Sequence, residues 1–277
     1  MSEQTEERHR TAVVQPESPP PPWSDVSLTV VVPTYNEADN LPTLVDALFA
    51  LPLPNLRVLV VDDESPDGTG TLAEELAICH NDGPRPRMAV LHRGRKSGLG
   101  RAYVAGMTQA LGEGTEFVAQ MDADFSHCPD YLPRMLGVLL STGAGVVVGS
   151  RYVEGGKLDR QWSWSRRILS RWANFYARTI LSMRVRDITA GFKIWRSEVL
   201  RAINLKSIDS DGYVFQIEMN YLCKILGYTI VEVPIDFMDR RRGRSKMSMA
   251  VKIEAALQPF QLLWRHSRLR RSRASER

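Results

Sequence analysis

The chain predicts an α/β fold, with a mostly parallel sheet flanked by helices on both faces. Three observations carry that expectation. Short continuous apolar runs recur at Leu28-Thr29-Val30-Val31-Val32, Leu56 to Val61, Arg87 to Leu91 and Phe117 to Met121, and runs of that length read as strands buried on both sides. Each is followed by a segment whose apolar residues fall at helical spacing, the alternation that right-handed crossovers build into a parallel sheet. Polar clusters stand at the end of every run, where open α/β sheets gather their ligands.

Taken in order, residues 1 to 24 carry Glu, Arg, Gln and a Pro19-Pro20-Pro21-Pro22 run, so a disordered or extended lead-in is expected there. The first strand ends at Pro33. A helix should occupy Ala38 to Leu51, with Leu41, Leu44, Val45 and Leu48 on one face and Asn36 as its cap. The second strand is followed by a polar loop, Asp62 to Gly70, and a helix over Thr71 to Ile78. The third is followed by a glycine-rich loop and a helix over Leu99 to Leu111. After Phe117 to Met121 the chain offers a helix from Pro129 to Leu140 and a fifth strand from Gly145 to Val148. The part up to about Val153 therefore reads as a nucleotide-binding α/β unit.

The later part is less regular. Trp162 to Leu181 predicts a long helix in which Trp162, Trp164, Trp172, Phe175 and Tyr176 alternate with Arg166, Arg167, Arg171 and Arg178. A glycine turn and short strand follow over Asp187 to Trp195, then a helix over Asp211 to Leu226 and a strand over Tyr228 to Phe237. Met249 to Trp264 reads as an amphipathic helix bent at Pro259, ending in a basic tail. The expected division is thus a lead-in at 1–24, a catalytic domain at 25–247 and a helix with a basic tail at 248–277.

Composition narrows the function. The 277 residues are 43% hydrophobic and 25% charged, ordinary for a water-soluble globular chain with a large core. Cys79, Cys128 and Cys223 are odd in number and far apart, which argues against a disulfide framework or a zinc site and for a reducing cytosol. No run approaches the roughly 18 apolar residues of a membrane span. The net charge is +4, with arginine concentrated from Arg160 to Arg186 and from Arg240 onward, so anionic ligands or surfaces are implied. No nucleic-acid-binding module accompanies those arginines.

The chemistry-bearing stretch is Met121-Asp122-Ala123-Asp124-Phe125-Ser126. Two carboxylates at i and i+2 on an extended segment point the same way, which suits a hard divalent cation that keeps room for phosphates; a helix cap or a solvated turn is the competing reading. At the first strand's end, Tyr35 can offer a ring to a base and Glu37 an acceptor, although a capped turn explains the pair equally well. Asp63, in Asp62-Asp63-Glu64-Ser65-Pro66-Asp67-Gly68-Thr69, can accept from ribose or base or belong to an Asp-rich turn. Lys96-Ser97-Gly98-Leu99-Gly100 lacks the full glycine pattern of a phosphate loop, and its glycines read as close packing at a helix start.

With Val32-Pro33-Thr34-Tyr35-Asn36-Glu37, Gly98-Leu99-Gly100-Arg101-Ala102-Tyr103, Gly149-Ser150-Arg151-Tyr152-Val153-Glu154-Gly155-Gly156, Thr189-Ala190-Gly191-Phe192-Lys193 and Arg240-Arg241-Arg242-Gly243-Arg244-Ser245-Lys246-Met247 added to these, the chain resembles the family 2 glycosyltransferases of the GT-A fold. Within them it resembles the dolichyl- or polyprenyl-phosphate mannose synthases, over about Leu28 to Lys252. The resemblance implies that Pro33, Tyr35, Glu37, Val61 and Asp63 line the nucleoside pocket for GDP-mannose, that Asp122 and Ala123 face ribose and diphosphate, and that Asp124 holds a divalent metal, Mg²⁺ or Mn²⁺. Asp122 and Ser126 would complete the protein's share of that metal site, Ser126 standing where some relatives have glutamine.

By the same resemblance Arg240 and Lys246 reach the diphosphate from a mobile loop, and Arg151, Arg166 and Ser170 hold the acceptor, a polyprenyl phosphate. That acceptor is already an anion, so no strong general base is required, and in-line displacement inverts the anomeric carbon. The Trp- and Arg-bearing helix and the C-terminal helix then suit an anionic membrane surface, at the cytoplasmic face, reached by peripheral binding or through a membrane-embedded partner protein; ordinary packing on the sheet is the competing reading. Two other functions compete with mannosyl transfer: the same fold with UDP-glucose or another nucleotide sugar as donor, and a catalytically silent lipid-binding subunit.

Overall fold

Alternating burial decides the layering. In β1 (Leu28–Thr34) Leu28, Val30 and Val32 face one side of the sheet and Val31 the other, and β2 (Leu56–Asp62) repeats this with Val58 and Val60 against Leu59 and Val61. A computed structural model gives the architecture; it describes residues 23–271 apart from 24, 84–85, 95, 160, 239–248 and 268, and for 249–256 the backbone alone. The lead-in, save Trp23, thus lies outside the described residues, as does the loop carrying Arg240 and Lys246.

Seven strands form one sheet in the order β3-β2-β1-β4-β6-β5-β7, with β3 at Met88–His92, β4 at Phe117–Gln120, β5 at Val146–Ser150, β6 at Lys193–Arg196 and β7 at Ile230–Pro234. All run parallel except β6, which is antiparallel to both β4 and β5. On one face lie α1 (Leu41–Phe49) and α4 (Tyr131–Thr142), burying Leu41, Leu44, Val45 and Leu48 and Leu132, Met135, Leu136 and Leu139; α2 (Thr69–His80) adds Ala73. On the other lie α3 (Leu99–Gly112) and α7 (Gly212–Ile225), through Tyr103, Met107, Phe215 and Met219. Gly106 lets α3 sit close on the sheet, because a methyl there would collide with the side chains of Val31 and Val61.

The expected strands and long helices are all present, and two elements come in addition: α6 (Ser197–Ala202) and a 3₁₀ turn over Leu205–Ser207. The expected cap of α1 is corrected. That helix starts at Leu41 after Asn40, whereas Asn36 sits in the left-handed region at φ 61° and shapes the turn instead.

A smaller core gathers α5 (Trp164–Ile180), α7 and α8 (Met249–Arg265) around Ala177, Leu181, Ile188, Ile217, Tyr221 and Leu262. Helix α5 therefore rests on α8. Fully buried Glu218 ties α8 down, accepting from His266 Nε2 at 2.7 Å and Arg265 Nη1 at 3.3 Å. Along α5, Trp164, Ile168, Trp172 and Phe175 are exposed at helical spacing, and Leu257, Phe260 and Trp264 form a second exposed row on α8.

Candidate active site

The loops following β1, β2 and β4 open on one rim, and each contains a non-glycine residue in left-handed backbone: Asn36 (φ 61°), Glu64 (φ 58°) and Phe125 (φ 59°). Such conformations cost energy and gather where a loop must aim its neighbours. The first two loops are stitched together: Asn36 N donates to Ser65 Oγ at 3.1 Å, Glu37 N to Thr69 Oγ1 at 3.0 Å and Ala38 N to Asp67 Oδ2 at 3.2 Å.

Of the residues expected to line a nucleoside pocket, Pro33 and Val61 lie side by side across the β1–β2 pairing, and the Val61 side chain is fully buried in the core beneath α3. Asp63 follows β2, its N–H donating to Thr34 O. Its Oδ1 accepts from Arg93 Nη1 at 2.7 Å and its Oδ2 from Ser97 N at 3.4 Å. Burial pushes the Asp63 carboxyl above its usual range, and the Arg93 guanidinium opposes that. Tyr35 is met by Lys96, whose Nζ lies 3.6 Å from the ring centroid. Glu37 Oε2 accepts from Asn40 Nδ2 at 2.8 Å. A cleft of about 460 Å³ lined by Arg93, Gly94, Ser97 and Arg101 opens beside these residues. Arg93 has no motif around it, and only its fold position, one residue past β3, brings it to Asp63.

At the end of β4, Asp122 Oδ1 accepts from Tyr103 Oη at 2.7 Å, and Asp122 N donates to His127 Nδ1 at 3.3 Å. Burial first, then Asp122, raises the Tyr103 phenol well above its ordinary value, so it stays a donor. Burial lowers the His127 imidazole against the pull of Asp122 and Asp124. With Nδ1 accepting, the neutral ring carries its proton on Nε2. Asp124 is buried beside Ala123, and its Oδ1 accepts from Ser126 N at 3.0 Å, a turn that aims the carboxylate. Neither aspartate caps α4, whose N-cap position is Asp130.

Arg151, one residue past β5, is clamped by fully buried Asp187 and donates through Nη2 to Thr189 Oγ1 at 3.0 Å. Ser170 Oγ accepts from Tyr152 Oη at 2.7 Å, and the Arg166 guanidinium lies 3.8 Å from the Trp162 ring centroid. Phe237 joins these groups to the acidic rim: its ring centroid is 5.9 Å from those of His127 and Trp162 and 5.1 Å from Arg151 Cζ. The structure thus brings Asp122, Asp124, Ser126, Arg151, Arg166 and Ser170 to one continuous site. Tyr103 ends one of the motifs that carry the resemblance but gains its role only from packing, and nothing in the spacing of Asp187 and Phe237 marks them.

Residues 29–203 match the profile described as "Glycosyl transferase family 2". The chain belongs to glycosyl transferase family 2. It is 47% identical over 219 residues, 79% of this chain and 80% of the relative, to "Polyprenol monophosphomannose synthase" of Mycolicibacterium smegmatis. It is 44% identical over 227 residues, 82% of this chain and 90% of the relative, to "Undecaprenyl-phosphate mannosyltransferase" of Micrococcus luteus. Among solved family-like folds, mannosyl-3-phosphoglycerate synthase from Rubrobacter xylanophilus aligns with TM-score 0.59 at 20% identity, covering 88% of this chain and 74% of that one. Glucosyl-3-phosphoglycerate synthase from Mycobacterium tuberculosis, in complex with Mn²⁺, UDP-glucose and phosphoglyceric acid, aligns with TM-score 0.61 at 19% identity, covering 85% and 80%. These two likenesses concern the fold, and the GT-A architecture expected of family 2 is the one found. The chain is therefore a glycosyltransferase.

Proposed function

We propose that this glycosyltransferase moves mannose from GDP-mannose to a polyprenyl phosphate, giving polyprenyl-phosphate mannose and GDP. The observation that carries the reading is Arg151, held rigid by Asp187 and one aromatic ring away from the Asp122–His127 rim. A preorganised guanidinium there fits an anionic acceptor lying in line with a sugar on the acidic side. The names of the two curated relatives, both polyprenyl-phosphate mannose enzymes, support the same substrates.

The donor set fits a hard cation. Asp122 and Asp124 supply carboxylate oxygens, and no group of three or more His, Cys, Asp or Glu positioned for a metal exists among the described residues. Such a pair suits Mg²⁺ or Mn²⁺ completed by phosphate and water better than a closed protein cage. When bound, the ion would supply charge neutralisation at the leaving diphosphate. The protein's part is to aim Asp124 through Ser126 N and Asp122 through Tyr103, and to hold the nucleoside against Tyr35, Glu37, Asp63, Pro33 and Val61. Arg240 and Lys246, from the loop outside the described residues, complete the diphosphate's cationic surroundings in this reading. His127, with Nδ1 accepting from Asp122 N and its proton on Nε2, offers the acceptor no free lone pair, and a phosphate nucleophile requires no base.

The exposed rows on α5 and α8, flanked by Arg166, Arg171, Arg178 and Arg265, dock peripherally on the anionic cytoplasmic face of the membrane from which the lipid is presented. No described helix is long and apolar enough to cross a bilayer.

The test is transfer of radiolabel from GDP-mannose to a short polyprenyl phosphate with Mg²⁺ or Mn²⁺, read after extraction into organic solvent. Label should enter the organic phase with wild type and not with Asp124→Ala. Label confined to water, or transfer from UDP-glucose in its place, overturns the assignment.

A further inference from the structure

Beneath the rim, a donor-only indole imposes an orientation on a chain of amides, and a lysine amine supports it. Trp195 Nε1 donates to Gln120 Oε1 at 2.6 Å, and an indole has nothing to accept with. Gln120 must then present its nitrogen, and Nε2 donates to Gln216 Oε1 at 3.3 Å. Lys193 Nζ donates to that same Oε1 at 2.9 Å and to Gln216 O at 3.1 Å, whichever protonation state the amine holds. The Gln216 oxygen is committed twice. Its nitrogen therefore faces the opposite way, an assignment made by chemistry rather than by electron count.

What lies on that side is the acidic rim. A Cβ placed on Gly191 would stand 3.6 Å from Gln216 Nε2, 3.7 Å from Asp122 Oδ2 and 3.4 Å from His127 Cε1. Glycine leaves this gap open between a donor and an acceptor. Among the described residues no acceptor takes the Nε2 hydrogens of Gln216, although the residue is only 3% exposed. The nitrogen itself is not sealed in, so the gap is where a ligand or water oxygen can accept from it.

We propose that Gln216 reads a hydroxyl of the sugar being transferred: its Nε2 donates to that oxygen in the gap beside Gly191, the hydroxyl donates onward to Asp122 Oδ2, and Lys193 is the positioning residue that keeps the nitrogen aimed outward. The proposal rests on the mannosyl-transfer reading and deepens it, making the buried Trp195–Gln120–Gln216–Lys193 network a determinant of donor choice. A site built to bond a hydroxyl discriminates against the analogue lacking it far more than an apolar pocket would.

The experiment measures kcat/KM of the full-length protein for GDP-mannose and for its 2-, 3-, 4- and 6-deoxy analogues, with polyprenyl phosphate and Mg²⁺. For wild type, one deoxy analogue loses about tenfold or more, the size expected of a lost buried hydrogen bond. In Gln216→Leu that ratio collapses toward one while the ratios for the other analogues stay, because the variant can no longer sense that hydroxyl. Lys193→Met, which removes one of the two donors that hold the Gln216 oxygen inward and so loosens the amide, lowers the same ratio alone. A purely structural role would move all analogues together. Where Gln216→Leu does not fold, Gln216→Asn, which keeps the amide and shortens its reach, shrinks that single ratio. A folded Gln216→Leu or Gln216→Asn that keeps the wild-type ratio for every analogue overturns the inference and leaves mannosyl transfer standing. Wild type that transfers nothing from GDP-mannose overturns both.

Discussion

Asp187 grips Arg151 by three hydrogen bonds: Oδ2 accepts from the Arg151 backbone N at 2.9 Å and from Nε at 2.7 Å, and Oδ1 accepts from Nη2 at 2.7 Å. The carboxylate is fully buried and is itself held by geometry from Glu232, which accepts from Asp187 N at 2.9 Å. The Asp187 carboxylate more than offsets the cost of burying the guanidinium, so Arg151 stays charged. Asp187→Ala would leave that charge buried and unpaired, and should destabilise the protein by about 3–5 kcal/mol. Asp187→Asn should keep the fold better but release the fork. A chemical melt beside the transfer assay checks both, and an Asp187→Asn enzyme with wild-type turnover would contradict the role given to Arg151.

Lys193 predicts a pH-dependent stability. Burial presses its amine from 10.5 down to about 7, only partly resisted by Asp187 and Cys223. Between those values the unfolded chain holds a proton that the folded chain lacks, so stability rises with pH across that window, by at most about 1.4 kcal/mol per pH unit. That gain is lost as pH falls from about 10.5 to about 7 and levels off below, where both states hold the proton. Denaturation midpoints followed from pH 6 to pH 10 should show this rise in wild type and lose it in Lys193→Met.

Lys96 covers one face of the Tyr35 ring, and a base stacking on that face must displace it. An exposed cation–π contact is worth about 0.5–1 kcal/mol. Lys96→Ala should therefore tighten nucleotide binding by about two- to fivefold, measured by calorimetry with GDP and Mg²⁺. Weaker binding would show that Lys96 moves onto the nucleotide instead.

Burial pushes the Asp63 carboxyl up, and the Arg93 guanidinium is the strongest group opposing that. In Arg93→Met the carboxyl should titrate higher still, and GDP affinity should fall more steeply than in wild type as pH is lowered from 7 to 5. Parallel pH profiles for the two proteins would deny Asp63 a part in nucleotide binding.

Gly106→Ala tests the packing of α3 on the sheet. The added methyl meets Val31 of β1 and Val61 of β2, both fully buried, so relief requires the helix to move. A loss of about 1–3 kcal/mol is expected from such overpacking, with Tyr103 and hence Asp122 displaced as a secondary effect on turnover.

Periodicity made the parallel half of the fold legible, because β1 to β4 are continuous apolar runs and their helices have clean faces. It could not announce that β6 runs backwards: Lys193-Ile194-Trp195-Arg196 is short and charged at both ends, and its direction follows from pairing with β4 and β5. The acidic pair at Asp122 and Asp124 and the resemblance-derived Arg151 and Ser170 were legible as motif residues. Their partners were not. Tyr103, Arg93, Asp187 and Gln216 lie 19, 30, 36 and 96 positions from Asp122, Asp63, Arg151 and Gln120, Phe237 acts through ring contacts, and no local pattern encodes such distances. Asn36 misled for a simpler reason: an asparagine before an apolar stripe suits a cap and a left-handed turn alike.

Because the reversed strand lies directly between β4 and β5, everything from residue 151 to residue 190 leaves the sheet and returns to it on adjacent, hydrogen-bonded neighbours, with Val148 opposite Lys193. The two ends of that excursion are therefore pinned one strand-spacing apart whatever its length. Such a segment can change in length or sequence without disturbing the strand pairing on either side of it, so long as Ala177, Leu181 and Ile188 keep their packing against α7 and α8.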